Sequence, residues 1–254
     1  VTGERWCYTL AMLLATVVAG WMLRSSQRRL QIDPRKRVMI LGAAFLGGTL
    51  GAKLPFVLGA ASLGFESWLG DGKTILWGLV GGYLGVEAAK WALGERVRTG
   101  DTFIIPIATA IAIGRIGCLC YGCCYGTPTQ LPWGLTFITA EDGGTVARHP
   151  TQIYEFVFHL SCAVLAAIGI RRRWFIGNWM PLYIACYAVF RFVSEWLRPE
   201  APVVWGLTFY QLSSLPIAVG MIVLVYLRDA PMQGTAPSQE ASPHEMSQRS
   251  EGTL

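Results

Sequence analysis

Three basic residues, Lys53, Arg115 and Arg191, fall inside long apolar runs of this 254-residue chain. A cation in hydrocarbon is expensive, and by default it marks a functional cavity. Arginine suits a phosphate because its planar fork donates two parallel hydrogen bonds. Tyr187, Arg191, Glu195 and Arg198 are spaced by four, four and three residues, which places them on one helical face. The plainer reading of that face is an Arg191–Glu195 ion pair that only holds helices together. Glu155 opens another apolar run, with His159 four residues later and the Arg148-His149 pair just ahead of it. His149 is a candidate general base or headgroup contact. His159 reads as a partner of the Glu155 carboxylate. Glu87 reads as a packing or snorkelling residue.

The second chemistry-bearing stretch runs Cys118-Leu119-Cys120-Tyr121-Gly122-Cys123-Cys124-Tyr125-Gly126. In a continuous helix these thiols would point in several directions and could not share one metal. Gly122 and Gly126 are expected to break the helix and let the chain turn back. Four readings stay open. The thiols could bind a metal, although tetrahedral zinc usually takes two separated pairs. A disulfide could join Cys118 or Cys120 to Cys123 or Cys124. A reactive thiol could have its pKa lowered by Arg115. Or cysteine is simply small and apolar enough for a crowded turn. Cys7, Cys162 and Cys186 read as core-packing residues.

The elements that must position these groups follow from the composition. Hydrophobic residues make up 53% of the chain and charged residues only 15%, against about 25% in soluble domains. That excludes a disordered chain and argues against an ordinary soluble enzyme. Seven apolar runs, at 7–23, 38–60, 74–93, 103–122, 151–170, 178–197 and 207–227, each approach the ~20 residues that cross a bilayer as a helix. The expected fold is therefore all-α, a polytopic membrane bundle of about seven helices. Small residues such as Gly47, Gly48, Gly51, Gly78, Gly81, Gly82 and Gly85 would let helices approach closely. The first run lacks a basic start and a small-residue cleavage site, so it reads as a span rather than a signal peptide.

Fourteen Lys and Arg residues fall in the loops after the first, third and fifth runs and in the tail, against four in the alternate loops. The positive-inside rule then puts the N-terminus outside and the C-terminus in the cytoplasm. Counting along the spans from the inner side at 1.5 Å per residue places Arg115 at ~18 Å, Arg191 at ~20 Å and Lys53 at ~22 Å. Three cations at one depth imply an anion site at the level of the outer-leaflet headgroups. Residues 1–228 are expected to form the membrane domain. Residues 229–254, rich in Ser, Pro, Gln and Glu, are expected to form a disordered cytoplasmic tail. No motif for nucleic acid is present, and the basic loops are topology signals.

Four segments, in order, resemble the bacterial prolipoprotein diacylglyceryl transferases. Gly114-Arg115-Ile116-Gly117 with Gly122 and Gly126 is similar to the family's signature. Pro132-Trp133-Gly134 and Arg148-His149-Pro150-Thr151-Gln152-Ile153-Tyr154-Glu155 resemble its next stretch. Tyr187, Phe190-Arg191-Phe192, Glu195 and Arg198 resemble its sixth helix, and Gly206-Leu207-Thr208 with Gln211, Leu212-Ser213 and Pro216 the start of its last. Tyr8 and Gly51–Lys53 fit the first two helices loosely, with Lys where Arg is usual.

The resemblance implies an enzyme of the bacterial plasma (inner) membrane with its site facing the outer leaflet. Such enzymes move the diacylglyceryl group of phosphatidylglycerol onto the lipobox thiol of an exported prolipoprotein, and glycerol phosphate leaves. They need no metal and no soluble cofactor. The implied partners are phosphatidylglycerol or another anionic phospholipid, the prolipoprotein and the membrane. By the same resemblance, Arg115 and Arg191 polarise the lipid phosphate, with His149 and Glu155 the nearest candidates for thiol activation. Tyr8, Lys53, Gly81, Gly82, Cys118, Gly126, Arg148, Tyr154, Tyr187, Glu195 and Arg198 make up the substrate-binding set. The chain departs from the pattern where the family's third helix carries His-Gly-Gly, since it has Val80-Gly81-Gly82. It also has Cys118 and Tyr121 where Asn is usual, and Cys123 where an acidic residue is usual. Alternative readings are a related membrane protein with a different acceptor, and a redox or metal-handling protein built on the Cys118–Cys124 cluster.

Overall fold

A computed structural model of the chain describes residues 2–59 and 74–233. Among them the protein is helical: α1 Thr2–Gln27, α2 Pro34–Gly59, α3 Ile75–Ala92, α4 Gly100–Tyr121, α5 Thr151–Arg171, α6 Trp179–Ser194 and α7 Phe209–Gln233. A 3-10 turn, Glu195–Leu197, prolongs α6. The seven helices fall where the apolar runs placed them. Five are long and apolar enough to cross a membrane by themselves, namely α1, α2, α4, α5 and α7. The other two are shorter, with 18 residues in α3 and 16 in α6. The expected tail begins inside α7, which continues to Gln233, and residues 234–254 lie outside the described residues.

The bundle carries its polarity on the inside. Leu13, Val17, Phe45, Leu46, Val164, Leu165, Val219 and Ile222 face outward, while Gln27, Gln152, Glu155, His159, Glu195 and Gln211 are fully buried. That distribution suits a hydrocarbon surround, where polar groups must find partners within the protein.

Neighbouring helices pair along their lengths: α1 with α4, α2 with α3, α4 with α5, and α6 with α7. The α2–α3 seam is made of backbone. A Cβ placed on Gly81 would fall 2.9 Å from the Cα of Gly51 and overlap the carbonyl oxygen of Gly47. One on Gly85 would overlap the carbonyl of Ala43. Only glycine permits that approach. Val80, beside them, packs against the apolar core.

Helix α4 ends at Gly122, whose φ of +74° suits the left-handed cap. The amides of Gly122 and Cys123 return to the carbonyls of Leu119 and Cys118 at 3.1 Å each. Cys124 also takes a positive φ, 61°, and the chain turns back as the glycines predicted. Cys7 of α1 is joined to Cys120 of α4 by a disulfide, with Cα atoms 6.1 Å apart. This corrects two expectations: Cys7 is not merely a packing residue, and Cys120 does not pair within its own cluster.

The segment between α4 and α5 folds over the end of the bundle. The backbone of Gly126 donates to the carbonyl of His149 at 2.8 Å, and Leu135 and Arg148 exchange backbone hydrogen bonds at 2.8–3.0 Å. Arg148 Nη2 reaches Asp142 Oδ1 at 2.8 Å and the guanidinium lies over the Tyr125 ring at 5.2 Å. Asp142 also accepts the amide of Val146 at 2.7 Å. The hydrogen bond from Arg148, then the one from Val146, hold the Asp142 carboxyl down from 3.8 to about 2.

Candidate active site

Glu155, in the first turns of α5 and 1% exposed, is the centre of the site. Its Oε2 pairs with Arg115 Nη2 of α4 and accepts the Tyr187 hydroxyl of α6 at 3.1 Å. Its Oε1 takes Arg198 Nη2 at 2.5 Å and Arg191 Nη1 at 3.5 Å. One carboxylate thus holds three guanidinium groups. Arg191 has a second partner, Glu195, one helical turn on, at 2.6 Å. Both ion pairs of Arg191 are buried, so their partners must stay charged and hydrogen-bonded to be tolerated there.

Glu195 is fixed in turn by α7. Its Oε1 accepts the Thr208 hydroxyl at 3.1 Å. Thr208 and Gln211 cap α7 reciprocally: the Gln211 amide donates to Thr208 Oγ1 at 3.2 Å, and the Thr208 amide donates to Gln211 Oε1 at 3.0 Å. This is a capping box with Gln in its third position. Tyr210 of the same turn places its ring 5.4 Å from the Arg191 guanidinium. The sequence reading passed over Thr208, Gln211 and Tyr210 as site residues, although the Thr-x-x-Gln spacing was visible as a helix start.

The cluster forms the wall of a cavity of ≈ 1000 Å³. Arg115, Arg191, Arg198 and Tyr187 line it on one side, Tyr8 and Arg5 of α1 on another, and Cys118, Cys123 and Cys124 on a third. Glu200 also reaches it. The four arginines exceed the three carboxylates, Glu155, Glu195 and Glu200, by one. The wall therefore carries a net positive charge while each buried guanidinium keeps a partner. Such a wall can receive one more anion, and the forks of Arg115 and Arg191 are already oriented by Glu155.

Other residues from the sequence reading lie elsewhere. Lys53 of α2 is not among the cavity-lining residues, so equal depth did not mean a shared site. Gly81 belongs to the α2–α3 seam, and Gly82 to an adjoining apolar cleft of ≈ 330 Å³ between α2, α3 and α4, which shares Thr74, Ile75 and Ile111 with the cavity. Gly126 is buried in the turn, where a Cβ would meet His149 Cβ at 2.8 Å. His149 is not among the cavity-lining residues, and its Nδ1 lies 3.2 Å from the Tyr154 hydroxyl, which itself accepts Trp133 Nε1 at 2.9 Å. Arg148 is engaged by Asp142 as described. His159 stands 3.9 Å from Glu155 but hydrogen bonds through Nδ1 to Tyr183 at 2.7 Å. Glu155, a candidate base by sequence, is enclosed by three guanidiniums. A carboxylate so placed orients the guanidiniums around it.

The cysteine turn is anchored from below. Gln152 Nε2 donates to the carbonyl of Cys123 at 2.6 Å, and Thr151 Oγ1 donates to that of Cys124 at 2.5 Å. Arg115 Nη1 lies 4.0 Å from Cys118 Sγ.

The family model for prolipoprotein diacylglyceryl transferase matches residues 5–227. A phosphatidylglycerol–prolipoprotein diacylglyceryl transferase of Solidesulfovibrio magneticus is 33% identical over 91% of this chain and 91% of its own length. The proteins of that name from Clostridium tetani and Pseudomonas aeruginosa are each 30% identical. They cover 84% and 86% of this chain and 90% and 89% of their own lengths. The match spans every helix that builds the arginine-lined cavity, and the chain belongs to the prolipoprotein diacylglyceryl transferase family of membrane transferases.

Proposed function

We propose that the protein transfers the diacylglyceryl group of phosphatidylglycerol to the lipobox thiol of an exported prolipoprotein. The site would open to the outer leaflet of a bacterial plasma membrane. The observation that carries this reading is the gathering of Arg115, Arg191 and Arg198 on Glu155 against one cavity with a net positive wall. The names of the relatives support the same substrates.

In this reading the lipid phosphate lies against Arg115 and Arg191, and the acyl chains pass between helices into the bilayer. The thiol sulfur attacks the glycerol carbon that carries the phosphate ester. A sulfur–carbon bond forms, the carbon–oxygen bond breaks, glycerol phosphate leaves with the electron pair, and the proton of the thiol passes to water. The guanidiniums stabilise the charge that gathers on that oxygen, and they do so without reorganising because Glu155 and Glu195 hold them in place. Tyr187, which donates to Glu155, keeps the carboxylate turned toward Arg115. Arg198 closes the cluster from the 3-10 turn. The N-out orientation implied by the distribution of basic loops would put this cavity on the outer side.

The test uses the full chain in nanodiscs containing phosphatidylglycerol labelled in its glycerol backbone, with a lipobox peptide as acceptor. Lipidated peptide and free glycerol phosphate are expected. Arg115→Ala and Arg191→Ala should each lower the rate by about 100-fold or more, the usual scale for losing a donor to a developing anion. Arg191→Lys, which keeps the charge and loses the fork, should fall between them and the parent. Absence of product from the parent chain, or unchanged rates in both alanine variants, rejects the reading.

A further inference from the structure

Among the described residues, most groups near the cavity that could take a thiol proton are already engaged, and Glu200 is the one carboxylate on its wall outside the arginine cluster. Glu155 and Glu195 are committed to arginines, and His149 and His159 bond to Tyr154 and Tyr183. What the cavity does present is sulfur. The Sγ atoms of Cys118, Cys123 and Cys124 all lie within 4.8 Å of one another, and all three residues line the cavity. The convergence has a structural cause. Gly122 ends α4 in the left-handed region, Cys124 also takes a positive φ, and the turn between them folds Cys123 and Cys124 back over the last helical turn. Cys120 points away, into its bond with Cys7. Gln152 and Thr151 hold the carbonyls of Cys123 and Cys124, so the sulfurs are presented by a pinned backbone.

We propose that Cys118, Cys123 and Cys124 form a three-thiolate site for a zinc-class divalent cation whose fourth position opens into the cavity and takes the acceptor thiol. Zinc binds thiolate at about 2.3 Å, which sets tetrahedral sulfurs roughly 3.8 Å apart, so the three side chains need close by no more than a rotamer adjustment. Three thiolates around a divalent cation leave one negative charge. Arg115, whose Nη1 is 4.0 Å from Cys118 Sγ, stands where that charge is offset. Three protein ligands and an open fourth position is the arrangement of a catalytic rather than a structural zinc site.

This inference rests on the proposed transfer and deepens it, since it names what ionises the acceptor; it departs from the metal-free pattern of the family at the very positions where this chain carries Cys118 and Cys123 in place of Asn and an acidic residue. A thiol entering the fourth position gives up its S–H proton to water in the cavity and becomes a bound thiolate. Its sulfur then attacks the glycerol carbon, and the electron pair of the broken carbon–oxygen bond leaves on glycerol phosphate beside Arg115 and Arg191.

The experiment is elemental analysis of the full chain purified from zinc-replete cells, followed by exchange with Co2+ and optical spectroscopy. About one zinc per chain is expected, falling below about a tenth in the Cys118→Ser/Cys123→Ser/Cys124→Ser variant and unchanged in Cys162→Ser. The cobalt protein should show thiolate charge transfer and tetrahedral d–d bands. A short peptide with a single cysteine should shift those bands, and its serine counterpart should not. Metal far below stoichiometry, copper in place of zinc, metal retained in the triple variant, or cobalt bands indifferent to the cysteine peptide overturns the proposal. Lipid transfer at the parental rate by the triple variant also overturns it and leaves the transfer reading standing. Peptide-dependent cobalt shifts in a chain that transfers no lipid support the metal site and remove the transfer reading.

Discussion

The two halves of the bundle are held together by opposite means. The α2–α3 pair meets glycine to glycine: Gly47, Gly51, Gly81 and Gly85 bring two backbones into contact and leave no room for side chains. Where α4, α5 and α6 meet, large charged side chains fill the interior, and one buried carboxylate ties three guanidiniums. The first seam gains from dispersion and close approach, and tolerates no added atom. The second is stable only while its charges remain matched. A joint of the second kind can receive an anion, and here it stands in one bundle with a close-packed seam of the first kind.

The largest expected effect comes from unbalancing the charged joint. Glu155→Gln keeps the shape of the side chain and removes the charge shared by Arg115, Arg191 and Arg198. Losing one partner of a buried ion pair costs about 3–5 kcal/mol, and here three cations lose it at once. The variant should unfold at a markedly lower temperature in detergent and lose lipid transfer. A melting profile equal to that of the parent would mean that the arginines are held by something other than this carboxylate.

The glycine seam should respond to volume rather than charge. Gly81→Val places a branched side chain where the Gly47 carbonyl and the Gly51 Cα already stand, and overpacking of this kind costs about 1–3 kcal/mol or more. Gly20→Ala in α1 meets nothing within 4 Å and should be neutral or slightly stabilising, since glycine weakens a helix by up to about 1 kcal/mol relative to alanine. Thermal unfolding of the two variants side by side checks the contrast. Equal melting temperatures would show that α2 and α3 can separate without loss.

The two joints were not equally legible in the sequence. Charges in an apolar run are conspicuous, so Arg115 and Arg191 stood out, and their helical spacing linked Arg191 to Glu195. Depth, however, is one coordinate. It set Lys53 level with the two arginines but carried no information on helix pairing, and α2 packs on α3 rather than on the arginine helices. Glu155 was singled out as a site residue, but its three partners come from positions 115, 191 and 198, far away along the chain, and no local spacing links them to it. The Cys7–Cys120 bond spans a sequence separation of 113, and no local spacing announces it. The turn at Gly122 was predictable from glycine alone. That this turn would bring together three sulfurs and release the fourth depended on where α1 and α5 pack.

The smallest effect should come from the connection between α4 and α5, which is tied by a half-buried pair instead of a fully buried one. Asp142 is held down from 3.8 to about 2 by its bonds to Arg148 and the Val146 amide. A carboxyl with a depressed pKa in the folded state contributes stability that is complete above its unfolded value. That contribution is lost as the pH falls through its folded value. The ordering of residues 142–148 should therefore be constant from neutral pH to about 4 and decline between about 4 and 2. Asp142→Asn should abolish that step while leaving Glu155 and its arginines untouched, because the partners of Asp142 among the described residues are Thr145, Val146 and Arg148. Hydrogen exchange of the Val146 and Arg148 amides across that pH range, in parent and variant, measures it. An unchanged pH step in Asp142→Asn would assign the acid sensitivity to another carboxylate.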